Sequence, residues 1–174
     1  VGSWVLDMER EVEIEKCHLA WSDEMYRIAG HAPGSVEVTP SRHFGAIPME
    51  DRERVREALA RAVRERRPCS VVHRIVRPDG EIRIVDVTAE VFGELETGRP
   101  RQMVGTAHDI TERCRAEEEQ KSLLRALEME RARLVAAQRV AKIGSWETDL
   151  ATGAVSWSEE THRIFETDPS EFSH

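Results

Sequence analysis

Hydrophobic positions along the chain change period several times, and each change predicts an element. Near the N-terminus Val12 and Ile14 alternate with Glu11, Glu13 and Glu15, the two-residue period of a hairpin whose charged tip protrudes. Ser22 or Asp23 can then cap a short helix to about Ile28, which Gly30 and Pro33 end. Residues 31–47 are mixed in character and suit short irregular helices. After Pro48 the spacing of Val55, Leu59, Ala62 and Val63 draws one apolar stripe along a longer helix. Glu50 and Asp51 open that helix and Arg64, Arg66 and Arg67 close it, which complements its dipole at both ends. Two strand-like runs follow, Val71–Val76 and Ile82–Val87, flanking the turn residues Arg77-Pro78-Asp79-Gly80. A connection from Glu94 to Pro100 leads to a third run at Met103–Ala107. The order strand, strand, small helices, one longer helix, three strands predicts an α+β fold: one antiparallel sheet with helices against one face.

From Thr111 the pattern is helical with no breaker until Gly144. Ala116, Leu123, Leu127, Leu134, Ala137 and Ala141 fall on alternating four- and three-residue steps, with Gln120 and Glu130 as polar members of the same series. That is a heptad seam with defects, suited to a two-stranded coiled coil. The competing reading is one amphipathic helix lying on its own domain. A polar seam residue such as Glu130 weakens a coil, and a weak coil can be switched.

The chain also repeats itself. Gly2-Ser3-Trp4 recurs as Gly144-Ser145-Trp146, each with an Asp three residues on, Asp7 and Asp149. The segment from Trp21 to Pro33 recurs from Trp157 to Pro169 with six of thirteen positions identical, against roughly one expected by chance. A period this long is not that of a solenoid. It reads as two homologous domains in tandem, the second represented by its opening residues only, where Ala151-Thr152-Gly153 turns a hairpin. Trp146, Leu150, Val155 and Trp157 would then lack their ordinary cover, leaving the tail either disordered or packed on another chain.

Composition narrows the function. The 174 residues are 40% hydrophobic and 33% charged, with a net charge of −8. An acidic balance argues against a nucleic-acid footprint, and the arginines after Val63 read as a solvated last turn. No apolar run spans a bilayer and no leader is visible, so the expectation is a cytoplasmic segment without direct membrane contact. Cys17, Cys69 and Cys114 stand at patternless spacings, which fits reduced thiols and offers no zinc site. No phosphate-cradling glycine loop, paired catalytic acids or nucleophile motif is present, so no enzyme activity is expected of this stretch and no catalytic residue is named.

The Gly-Ser-Trp opening, the Trp-Ser-acidic helix start, the Arg-Pro-Asp-Gly-Glu hairpin and the closing run from Met103 to Arg113 together resemble a PAS domain with its associated C-terminal motif. The resemblance covers residues 1–113, with 114–142 as a helical linker and 143–174 as the start of a second PAS domain. It implies a five-stranded antiparallel sheet with helices on one face, a small pocket and a long helix after it. It implies also a sensory or dimerising module of a bacterial multi-PAS protein: most often a sensor histidine kinase of a two-component system, less often a diguanylate cyclase. A homodimer through the linker helix is expected, with a small-molecule ligand in the pocket as an option. A spacer that sets dimer geometry and senses nothing is the rival reading.

Asp109-Ile110-Thr111 sits where the last strand must hand over to the linker, and is the expected coupling site. Asp109 can cap the helix with Glu112 three residues on, or Thr111 can cap it slightly later, while Ile110 anchors the joint. Trp4, Trp21, His43, His73, Ile84, Met103 and Ala107 are the candidates for lining the pocket. Light-sensing flavin relatives carry a reactive Cys in an Asn-Cys-Arg context, absent here, and Ala107 stands about where their Gln would. Redox flavin without that Cys remains open. Haem would need an axial His, for which His43 is the candidate. His73 shares a strand face with Val71 and Ile75 and should point inward, as a satisfied core histidine or as a pH or anion sensor. An interior with no cofactor is the leading expectation.

Overall fold

The computed structural model describes residues 1–8, 14–93 and 99–168. The expected tip of the first hairpin and most of the Glu94–Pro100 connection lie outside the described residues. The chain divides into two compact units, Val1–Ala116 and Glu117–His174.

In the first unit, strands β1 (Gly2–Asp7) and β2 (His18–Trp21) precede three helices, α1 (Asp23–Ile28), α2 (Pro40–Gly45) and α3 (Met49–Glu65). A short 3₁₀ turn, Ile14–Lys16, leads into β2. Strands β3 (Cys69–Val76), β4 (Ile82–Gly93) and β5 (Pro100–Asp109) follow. The sheet order is β2-β1-β5-β4-β3, antiparallel throughout, so the N-terminal hairpin is stitched to the C-terminal meander through the β1–β5 pair. This is the α+β architecture that the periodicities predict, with α1 and α3 in contact with the sheet.

Burial alternates along the strands, and the inner residues form one core with the helices. Leu6, Leu19, Val71, Ile75, Val85, Val87 and Met103 from the sheet meet Met25, Phe44, Ile47, Val55 and Leu59 from the helical layer. Val55, Leu59, Ala62 and Val63, the stripe read from the sequence, are all buried. At about 1.5–3 kcal/mol for each fully buried large apolar side chain, this shared core is what orders the short helices.

The Gly-Ser-Trp and Trp-Ser pieces form a clasp. Trp4 pairs with Trp21 in register. Ser22 caps α1 through its hydroxyl, which accepts from Met25 N, and the same oxygen accepts from Ser3 N at 2.9 Å. Gly2 is required because a Cβ there would come within 2.8 Å of the Met25 backbone. On the other side of β1, Trp4 lies over Gly105, where a Cβ would overlap the indole.

Helix α4 (Thr111–Ala141) begins at the end of the first unit and runs as one element to a left-handed cap at Lys142. In the second unit, β6 (Trp146–Thr148), β7 (Val155–Trp157) and α5 (Glu159–Ile164) reproduce the clasp. Trp146 pairs with Trp157, Ser158 caps α5, its hydroxyl accepts from Ser145 N at 3.0 Å, and a Cβ on Gly144 would come within 2.9 Å of Thr161 Cα. Trp146 and Leu150 stand exposed at 72% and 95%.

Candidate functional site

Two places in the first unit gather chemistry. The first is the joint between sheet and α4. Thr111 is 1% exposed. Its hydroxyl accepts from Ile84 N at 2.8 Å, and both its N–H and its hydroxyl face Asp109 Oδ1. Ile110 is buried, and its N–H donates to Ile84 O at 2.9 Å. Asp109 therefore serves the helix start through Thr111, and the reciprocal Glu112 arm of a capping box is not formed. Glu112 instead pairs with Arg115 at 3.1 Å. Arg83 adds charge to the joint, reaching Glu81 at 2.8 Å, Asp109 at 3.6 Å and Glu112 at 3.8 Å. Glu81 also holds Arg77, whose Nε and Nη2 donate to the last carbonyls of α1, Ile28 O and Arg27 O. One chain of hydrogen bonds and ion pairs thus runs from the C-terminus of α1 through the β3–β4 hairpin to the first turn of α4.

The second place is the inner face of the sheet. Tyr26, Trp21, His43 and His73 form a row of rings in edge-to-face contact, with centroid separations of 5.5, 5.7 and 6.4 Å. His73 is 2% exposed, yet neither ring nitrogen has a hydrogen-bond partner among the described residues. Burial pushes it down from the usual histidine range to about 4, with the Val71 backbone and Asp51 opposing and Arg54 assisting. Burial and the neighbouring His73 lower His43 likewise to about 4. Both rings are neutral at pH 7. Asp51 offers no spare counter-charge, because Arg74 Nε grips it at 2.8 Å and holds its carboxyl down at about 2. Outside the row, a cleft of about 320 Å³ opens between the free edge of β2 and residues 36–40, with Trp21, Tyr26, Glu37 and Thr39 in its wall.

The structure brings together most of the residues singled out from the sequence. Trp4, Met103 and Ala107 are buried on the inner sheet face, and His73 points inward as expected. Trp21 and His43 join it in the ring row. Neither ring nitrogen of His73 makes a well-formed hydrogen bond among the described residues, the Val71 backbone being the polar group that acts on it. Ile84 is a correction: it is registered with Arg74, one residue off the inward pair His73 and Val85, and so lies on the opposite face of the sheet. Its backbone belongs to the α4 joint, not to the interior. Arg77, Glu81 and Arg83 were missed as a group. In the sequence the hairpin motif marks a turn, and the Arg77–Glu81 spacing is the signal that could have found the ion pair.

Flavin and haem can be weighed against this interior. The inner sheet face between Trp4 and Met103 is occupied by close-packed side chains, with Trp4 lying directly over Gly105. His43 could serve as an axial ligand only after parting from Trp21 and His73. These packed rings do not fit either macrocyclic or tricyclic group without rearrangement. Among the described residues no three metal-binding side chains converge. No helix there is long and apolar enough to cross a membrane.

Comparison with known proteins agrees with this geometry. The family model described as the PAS fold matches residues 18–107, more than half of the chain, and the chain belongs to that family. Among solved structures, a sensory box histidine kinase/response regulator from Burkholderia thailandensis is similar at 23% identity and a TM-score of 0.57, over 74% of this chain and 90% of that one. An RNA-binding light-oxygen-voltage receptor is similar at 26% identity and a TM-score of 0.56, over 81% of this chain and only 39% of that one. The N-terminal domain of a diguanylate cyclase with PAS/PAC sensor from Marinobacter aquaeolei shares the fold at 14% identity and a TM-score of 0.53, over 63% and 94%. No curated protein matches the chain.

Proposed function

We propose that this chain is a sensory and dimerising PAS module that relays a signal through α4 to an output domain, in a bacterial histidine kinase of a two-component system acting in the cytoplasm. On this reading the module itself catalyses nothing, and the parent protein uses ATP. Residues 1–113 act as the sensor, 114–142 as the coiled-coil linker and 143–174 as the beginning of a second PAS domain. The repeated clasp supports the last assignment, because the same four contacts recur at Gly144, Ser145, Trp146 and Ser158.

The observation that carries the reading is the unpartnered seam of α4. Leu123, Leu127 and Leu134 are exposed at 64%, 67% and 57% on the heptad series, downstream of a joint in which Ile110 and Thr111 are buried and hydrogen-bonded. An exposed apolar row at heptad spacing is suited to a partner helix, and a second copy supplies the matching row. Sedimentation velocity on the whole chain tests this: a dimer is expected, and Leu127→Glu should return it to monomer. A wild-type chain that stays monomeric at about 100 µM would overturn it. The diguanylate cyclase sensor among the similar structures keeps that output as the alternative.

A further inference from the structure

Gly30 follows the end of α1 at φ +81, in the left-handed region. That conformation alone does not call for glycine. In the repeat Trp157 answers to Trp21, so Glu166 answers to Gly30, and Glu166 holds φ +52. What sets Gly30 apart is its neighbour: a Cβ there would come within 2.9 Å of Arg77 Cγ and 3.0 Å of Pro78 Cδ. The glycine leaves room for Arg77 to lie across the end of α1. There Arg77 Nε donates to Ile28 O at 3.0 Å and Nη2 to Arg27 O at 3.1 Å, carbonyls at a helix end that lack partners within the helix. Its Nη1 donates to Glu81 Oε2 at 2.7 Å. The turn between the two is closed: Arg77 N donates to Glu81 O at 2.8 Å, Gly80 N to Arg77 O at 2.9 Å, and Glu81 N to Asp79 Oδ1 at 2.9 Å. Glu81 Oε2 also accepts from Arg83 at 2.8 Å, while its other oxygen faces Arg115 of α4 at 3.7 Å.

Resting on the relay reading above, we propose that Arg77 and Glu81 are positioning residues that tie the end of α1 directly to the start of α4, a coupling route beside the one through Thr111. Met25 and Ile28 of α1 are buried in the core, so the position of this helix follows the packing of the helical layer. A shift of its last turn moves Arg77 through two hydrogen bonds, and the closed turn carries that shift to Glu81. The carboxylate passes it to Arg115, which Glu112 also holds at 3.1 Å. The two routes differ in chemistry. Thr111 works by buried hydrogen bonds, which salt does not reach. Glu81 and Arg115 are partly exposed, so their link changes an equilibrium only a few-fold and is screened by salt.

Gly30→Ala pushes on Arg77 and is the perturbation. Gly34→Ala is its control, a second glycine at positive φ (+71) whose new methyl would meet nothing within 4 Å. Amide exchange by NMR on the whole chain reads the end of α1 at Ala29 and His31 and the start of α4 at Cys114, Arg115 and Ala116. In about 50 mM NaCl, Gly30→Ala should speed exchange about threefold at both ends, while Ile84 and Ile110 stay within about 1.5-fold. Gly34→Ala should leave α4 unchanged. In about 1 M NaCl, or in a Glu81→Gln background, the effect at α4 should vanish and the effect at α1 remain. If Gly30→Ala does not fold, Arg77→Met gives the same decision, with the same dependence on Glu81 and on salt. An α4 start that does not respond, a response shared by Gly34→Ala, or a response that survives both salt and Glu81→Gln overturns the proposal. Sedimentation of the same samples reads the dimer separately, so loss of this tie and loss of the relay reading are told apart.

Discussion

Replacing Thr111 by Val removes one oxygen and keeps the shape of the side chain. The hydroxyl accepts from Ile84 N at 2.8 Å and faces Asp109 Oδ1, and the residue is 1% exposed, so water cannot replace it. Ile84 N–H would be left without a partner, because the β4–β5 ladder begins one residue later with Val85 opposite Asp109. Since the volume is conserved, the cost is that of one stranded buried donor and one weakened cap, about 1–3 kcal/mol. Urea unfolding should show this loss, with Thr111→Ser recovering most of it. Hydrogen exchange should localise the effect to the amides of Ile84, Ile110 and Cys114, whose bonds lie at the joint. A loss below about 0.5 kcal/mol, or a Ser variant as weak as Val, would refute the argument that the hydroxyl holds strand and helix together.

Gly105→Ala should destabilise by about 1–3 kcal/mol, because the new methyl overlaps the Trp4 indole, and the cost should shrink in a Trp4→Leu background when both are read by urea unfolding. Stability should fall as pH drops from 6.5 towards 4. Over that window the unfolded chain protonates its histidines, while buried His73 and half-buried His43 stay neutral in the folded chain. His73 alone accounts for on the order of 3 kcal/mol, and in His73→Phe the slope of the urea midpoints should fall by about half, His43 supplying the rest. Asp51, held at about 2, contributes stability that is lost only below about pH 3.8, so the two windows separate.

The β1–β2 clasp shows in the sequence as a repeated motif with Ser22 as a cap, while the glycine against the helix and the tryptophans in register are seen only in the fold. The stripe of α3 was equally plain, since its four buried positions follow one helical face. Ile84 failed for a physical reason. Ile82-Arg83-Ile84-Val85 carries apolar side chains on both faces of β4, so a two-residue period cannot choose between them, and the choice is made by pairing with His73 and Arg74 on β3. The His43–His73 contact joins α2 to β3 across thirty positions of sequence, and the Arg77–Glu81–Arg83–Arg115 ion pairs join elements far apart in the chain. Neither leaves a periodic trace. The coupling triad was visible as a cap, but its partner, the Ile84 backbone, was not.

In the proposed relay the Asp109–Thr111 joint passes a change in the sheet to the start of α4. The most direct measurement of this is the dimer dissociation constant, by sedimentation equilibrium, of the whole chain and of Thr111→Val at a temperature where both are folded. Coupling of about 1 kcal/mol predicts a change of about fivefold in that constant. Identical constants, with the fold measurably weakened, would show a helix that dimerises without hearing the domain before it.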